Sequence, residues 1–252
     1  EFYGDANKKK VSARGIIDIL KRYNFTVEEN MPFDKDVSLD PELLGKVFEN
    51  LLASYNPETQ QTARKQTGSF YTPREIVQYM VDESLVTHLK RTVGNELESE
   101  YRKLLDYADN EILLTEQQKL AIMQSLYNCK ILDPACGSGA FPVGVLQQMV
   151  HILKQIDPDN SRWKNMLLQF AIDETSEAYL NSTAEERREA VADIERAFDE
   201  NVNYPDYARK LHLIENCIYG VDIQPIAIQI SKLRFFISLV IDQKRNNNPA
   251  DN

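Results

Sequence analysis

The stretch Lys130 to Val150, KILDPACGSGAFPVGVLQQMV, limits the fold more than any other part of the chain. Lys130-Ile131-Leu132 has the apolar character of a buried strand end, and Phe141 to Val150 that of a helix start. Asp133 to Gly139, between them, are small or turn-forming. Gly137 and Gly139 can take positive φ and leave bare backbone beside them. A tight strand-to-helix turn directs amide N–H groups and the positive end of the helix at one point, which suits an anionic ligand group. A second passage of this kind follows in NCIYGVDIQPIAIQISKLRFFISLVID, with a strand over Cys217–Val221 and an apolar helix from Pro225. Two strands that each precede a helix predict part of a doubly wound α/β sheet in a mainly helical chain. Lys130–Asp133 and Cys217–Asp222 are expected as parallel neighbours, joined by a right-handed crossover through the helix after Phe141.

Such sheets bind ligands at the carboxyl edge of their strands, where Asp133 and Asp222 both fall. A carboxylate there can accept two hydrogen bonds from the vicinal diol of a ribose. It can equally cap the following helix, and spacing leaves both readings of Asp222 open. The dinucleotide fingerprint puts its acid about 20 residues after the glycines, whereas Asp222 lies far beyond that. A P-loop is excluded, because no lysine or arginine follows the glycines until Lys154. G-x-G-x-x-G fails at Pro142. By the glycines alone, the segment is a generic tight turn.

The rest of the chain is mostly helical in pattern. Apolar positions predict helices over 11–29 and over SLDPELLGKVFENLLASYN, with Asp40 as cap and Pro41 at the first turn. Asn56 to Thr67 is polar and expected as a surface loop. Thr72-Pro73-Arg74-Glu75 reads as a capping box opening the next helix, and Thr115 with Gln118 as a second. Phe70-Tyr71 are by default core aromatics, or a wall for a flat ring with Thr72 offering a hydroxyl. Asp157–Arg209 is an acidic segment expected to loop out as a solvated helical bulge. Within it Ser182 and Glu185 are candidate caps, and Ala190, Val191, Ile194 and Phe198 make an apolar face.

The 252 residues carry a net charge of −10, which opposes a broad phosphate-gripping surface. No apolar run approaches the roughly 20 residues of a membrane span, and the N-terminus has no signal core. The 3 cysteines, Cys129, Cys136 and Cys217, lack C-x-x-C spacing, so they read as reduced thiols in a cytoplasmic protein, with no metal site. The start at Glu1 and the polar end KRNNNPADN suggest a piece of a longer polypeptide.

Three segments taken in order, Gly-Ser-Phe-Tyr-Thr-Pro, Asp-Pro-Ala-Cys-Gly-Ser-Gly-Ala-Phe and Gly-Val-Asp-Ile-Gln-Pro, resemble the S-adenosylmethionine-binding half of N6-adenine DNA methyltransferases. The likeness is to the large bacterial enzymes of restriction–modification and phage defence, and it covers about residues 66–240. It implies a partial Rossmann-like methyltransferase domain over 66–252, with a helical insertion at about 157–209, preceded by a helical lead-in over 1–65. It also implies that Asp133, Pro134, Ala135, Gly137 and Gly139 surround the methionine part of S-adenosylmethionine. Tyr71 and Thr72 would contact its carboxylate and adenosine, Asp222 its ribose hydroxyls, and Ile223 its adenine.

The family's catalytic Asn/Asp-Pro-Pro-aromatic motif, which holds a flipped adenine, is absent from these 252 residues. Asn56-Pro57-Glu58 and Asn248-Pro249-Ala250 do not match it. No catalytic residue is therefore assigned, and the chain alone is expected to be inactive. Double-stranded DNA would be bound through regions outside it, and the acidic insertion offers a surface to a protein partner. The alternatives are a methyltransferase acting on protein or another amine, and a non-catalytic scaffold that keeps the fold.

Overall fold

The computed structural model describes residues 55–56, 61–62, 72–108, 110–173 and 182–244. The helices expected over 11–29 and around Pro41, and Tyr71, lie outside the described residues. Tyr55–Asn56 (β1) and Gln61–Thr62 (β2) pair antiparallel, Tyr55 opposite Thr62, so part of the expected polar loop is a short hairpin ladder. The helices are α1 (Arg74–Thr92), α2 (Glu98–Leu105, after a 3-10 turn at Asn95–Leu97) and α3 (Glu116–Asn128). Strand β3 (Ile131–Asp133) then leads into α4 (Ala140–Ile156), α5 (Ser161–Ile172), α6 (Ala184–Ala197) and α7 (Pro205–Asn216). Strand β4 (Ile218–Gly220) and α8 (Pro225–Val240) complete the order.

Strands β3 and β4 are parallel neighbours, with Ile131 opposite Ile218 and Asp133 opposite Gly220. The ladder runs on past the strands: Val221 N donates to Asp133 O and Cys136 N to Val221 O, both at 2.9 Å. Ile131 and Ile218 pack toward the core, while Leu132, Tyr219 and Val221 stay exposed on the other face. One face of this small sheet is thus covered by helices and the other is bare.

The core lies between α1, α2, α3 and α4. On α1, Val77, Val81, Leu85 and Leu89 recur every fourth residue and are all buried, as a helix stripe facing a core must be. Helix α4 meets this stripe at Gly144, where a Cβ would stand 3.0 Å from Val77 Cγ1. A glycine inside a helix costs about 1 kcal/mol relative to alanine, and here it lets the two backbones approach. Buried Gln148 locks the pair, its Nε2 donating to Asp82 Oδ1 at 2.6 Å.

The capping patterns hold unevenly. Thr115 and Gln118 form the expected reciprocal box on α3. On α6 the box is Thr183 with Glu186, one residue later than Ser182 with Glu185, because the helix starts at Ala184. On α1 there is no box. The N-cap is Pro73, which has no side-chain acceptor, so Thr72 stays outside the helix and does not cap it.

The segment 157–209 does not simply loop out. Helix α5 buries Trp163 completely, together with Met166, Leu167 and Ala171, and joins the main core. Asp157 caps α5 by accepting from Trp163 N at 2.9 Å, and burial pushes its carboxyl above the usual range. The fully buried Arg209 ties this turn to α7. Its guanidinium donates to Asp206 Oδ1 at 2.6 Å and to the carbonyl of Asp157. The acidic composition of the segment hides this apolar set at i, i+3, i+4. Helix α6 matches the expectation better, since Ala197 is its sole buried residue, with Ile194 and Phe198 resting against the core.

Candidate functional site

The site is built around the turn from β3 to α4. Gly137 and Gly139 take φ of +54° and +87°, the left-handed region that glycine occupies without steric cost. Their surroundings differ. A Cβ on Gly139 would overlap the hydroxyl of Ser231 on α8, so this glycine is needed for packing. A Cβ on Gly137 would meet nothing within 4 Å, so the space beside it is open. Gly139 N donates to Cys136 O at 2.8 Å and closes the turn, and Val143 N donates to Gly139 O as α4 begins.

Asp222 is brought to this turn by the loop after β4. Its Oδ2 accepts from Gly137 N at 2.9 Å and its Oδ1 from Gln224 N at 2.7 Å. The carboxylate thus steadies the turn that leads into α8 and reaches across to the glycine turn, while the N-cap of α8 is Gln224, so Asp222 is not the helix cap. Asp133 Oδ1 accepts from Ala135 N at 3.1 Å, while its Oδ2 is buried without a hydrogen-bond partner. Cys136 is buried, and burial pushes its thiol up, with the nearby Asp133 and Asp222 carboxylates pushing it further. Gly220 is also fixed here, because its Cβ would stand 2.9 Å from Cys136 Sγ.

Of the other predicted residues, Pro134 and Ala135 are exposed on the turn, and Ile223 is 89% exposed beside Asp222. Thr72 lines a narrow cavity of about 50 Å³ between the N-terminal ends of α1 and α4. Arg74, Tyr107, Ala140, Gln147 and Arg234 share it, whereas Gly137 and Asp222 do not. The three motifs therefore meet at one end of the sheet without lining a single concavity.

Three residues of the site escaped the sequence reading. Arg234, 4% exposed, rises from α8 and donates from Nη1 to Ser138 O at 3.0 Å. Ser231, one turn earlier on the same face, packs against Gly139. Both stand among the other polar residues of α8, Gln229, Lys232 and Ser238, so the local pattern does not single them out. Tyr107 was also missed. It stacks on His151 at 4.1 Å between ring centroids and forms part of the cavity wall beside Thr72.

A strand, a glycine turn and an acid after the neighbouring strand are thus brought together at one place, and comparison with known proteins shows what the chain resembles. The family model described as N-6 DNA Methylase matches residues 39–95, the stretch that leads into and includes α1. The chain is also 27% identical over 237 residues to a protein of Methanocaldococcus jannaschii provisionally named a type II restriction enzyme and methyltransferase. That alignment covers 89% of this chain and 16% of the relative, so the chain spans a minor part of the relative's length. No solved structure gives a significant match. The chain is thus similar to N6 DNA methyltransferases of restriction–modification type, as its motifs indicate.

Proposed function

We propose that this chain is the cofactor-binding part of an adenine-N6 DNA methyltransferase of a restriction–modification or phage-defence system. The carrying observation is the hydrogen bond from Gly137 N to Asp222 Oδ2, which joins the glycine turn to the acidic loop as a shared ligand requires. S-adenosylmethionine fits the groups present. The open side of Gly137 leaves room for an amino-acid tail, and the unpartnered Asp133 Oδ2 is an acceptor suited to its ammonium group. Asp222 retains a second lone pair on each oxygen for a ribose diol, and the exposed Ile223 offers an apolar surface to a flat base. When bound, the cofactor would supply an electrophilic methyl group on a sulfonium.

The cavity beside Thr72 is too small for a nucleoside, since ligand pockets are typically about 300–1,000 Å³. Under this reading it receives a small polar group, while the nucleoside lies over the open ground near Asp222. The bare outer face of Leu132, Tyr219 and Val221 supports a larger wound sheet, because parallel sheets are normally covered on both faces. No helix among the described residues is long and apolar enough to cross a membrane.

Transfer to an extruded adenine would depend on positioning and hydrogen bonding at an Asn/Asp-Pro-Pro-aromatic motif, which these 252 residues do not contain. Calorimetric titration with S-adenosylmethionine and a methylation assay on duplex DNA test the reading together. Binding without methyl transfer is expected for residues 1–252. Absence of binding in a longer polypeptide carrying that motif would favour a non-catalytic scaffold, and transfer to protein instead of DNA would favour the other alternative.

A further inference from the structure

We infer that Arg234 is a positioning residue for the glycine turn, setting it for the amino-acid tail of the ligand; this rests on the cofactor reading above. The turn is held from two directions. Asp222 accepts the amide of Gly137 at 2.9 Å, and Arg234 donates to the carbonyl of Ser138 at 3.0 Å. These groups belong to adjacent residues, so the backbone between them has little freedom to rotate. The Ser138 carbonyl is held toward α8 by the Arg234 guanidinium, and the space beside Gly137 is open. The positive end of α4, which begins at Ala140, lies directly after the turn so held.

Packing supports the assignment. Arg234 is 4% exposed and Ser138 is 5% exposed, so their hydrogen bond is shielded from water and stronger than at a surface. Ser231 presses on Gly139 one turn before Arg234, which fixes α8 against the same few residues. Arg234 also lines the cavity that contains Thr72 and the first residue of α4. One side chain therefore touches both halves of the site, the glycine turn and the cavity of the upstream motif. An apolar helix would not bury a cation under a turn for packing alone, because a charge is costly to desolvate.

The test compares two probes, S-adenosylhomocysteine, which has the amino-acid tail, and methylthioadenosine, which lacks it. Calorimetry on wild type, Arg234→Met and Arg234→Lys is read alongside thermal melts. Arg234→Met is expected to weaken S-adenosylhomocysteine about tenfold or more and to leave methylthioadenosine unchanged. Arg234→Lys keeps the cation and a donor, and is expected to restore part of that loss. Should Arg234→Met fail to fold, Arg234→Lys alone decides, through a severalfold loss confined to S-adenosylhomocysteine. Equal losses for both probes, or none for either, overturn the inference while leaving the cofactor reading standing. A wild-type protein that binds neither probe overturns the cofactor reading and this inference with it.

Discussion

The amide of Gly137 donates to Oδ2 of Asp222 at 2.9 Å, linking the glycine turn to the loop after β4 across 85 residues of chain. The other oxygen of Asp222 is engaged by Gln224 N at 2.7 Å. The carboxylate is therefore held by both loops, with each oxygen accepting one backbone amide.

Asp222→Ala is expected to weaken S-adenosylmethionine by about 1.5–3 kcal/mol, the usual worth of a hydrogen bond to a charged group. It should also lower the melting temperature, because two backbone amides lose their acceptor. Calorimetry and a thermal melt on the same sample separate the effects. Unchanged affinity in a folded variant would remove Asp222 from the site.

Alanine at the two glycines should give different results. Gly137→Ala meets open space, so its cost is the left-handed backbone alone, roughly 1–2 kcal/mol. Gly139→Ala carries the same strain and must also displace Ser231, so it should be the less stable variant in urea unfolding. Gly137→Ala should still lose ligand affinity, because its methyl enters the open side of the turn. The reverse stability ranking would contradict the packing around α8.

Trp163→Ala is expected to cost about 3–5 kcal/mol in denaturant unfolding, as for other fully buried large side chains. A loss below 1 kcal/mol, the scale of a surface substitution, would mean that α5 is not part of the cooperative core.

The amount legible in the sequence differs from element to element. Both strands could be read, because each is a short apolar run ending at a turn, a local pattern that tertiary packing did not override. The Thr115–Gln118 box was equally local. The Thr72–Glu75 box failed because proline occupies the capping position itself, a shift of one residue that composition does not fix. The burial of α5 was masked by its acidic neighbours. Arg234 was beyond reach for a different reason. Its partner Ser138 is 96 residues away, and no local periodicity encodes a contact of that range.

Acid sensitivity should trace in part to His212. Its ring stacks on Tyr127 at 4.7 Å and stands edge-on to Trp163, and burial, with some help from Lys130, pushes its pKa down from 6.5 to about 4. The folded state therefore binds fewer protons than the unfolded chain between those values, so this group destabilises the fold as pH falls from about 6.5 to 4. The full shift corresponds to roughly 3 kcal/mol. His212→Phe keeps a ring in the stack and removes the proton site. The stability difference between wild type and His212→Phe, measured by urea unfolding across that range, should change in favour of the variant as pH drops. A difference independent of pH would mean that the imidazole is not held neutral.

The distance along the chain between Gly137 and Asp222 also sets when the site can exist. Closing a flexible loop of 85 residues carries an entropic cost on the order of 4 kcal/mol, which local turn formation cannot offset. During synthesis, the glycine turn leaves the ribosome well before Asp222 and Arg234, and it waits without either partner while α5, α6 and α7 are made. Packing of Trp163 and Arg209 within this segment shortens the effective loop once those contacts form. A nascent chain halted before β4 would have its glycine motif complete in sequence and still lack Asp222 beside it, so under the proposed function ligand binding would report on the docking of β4.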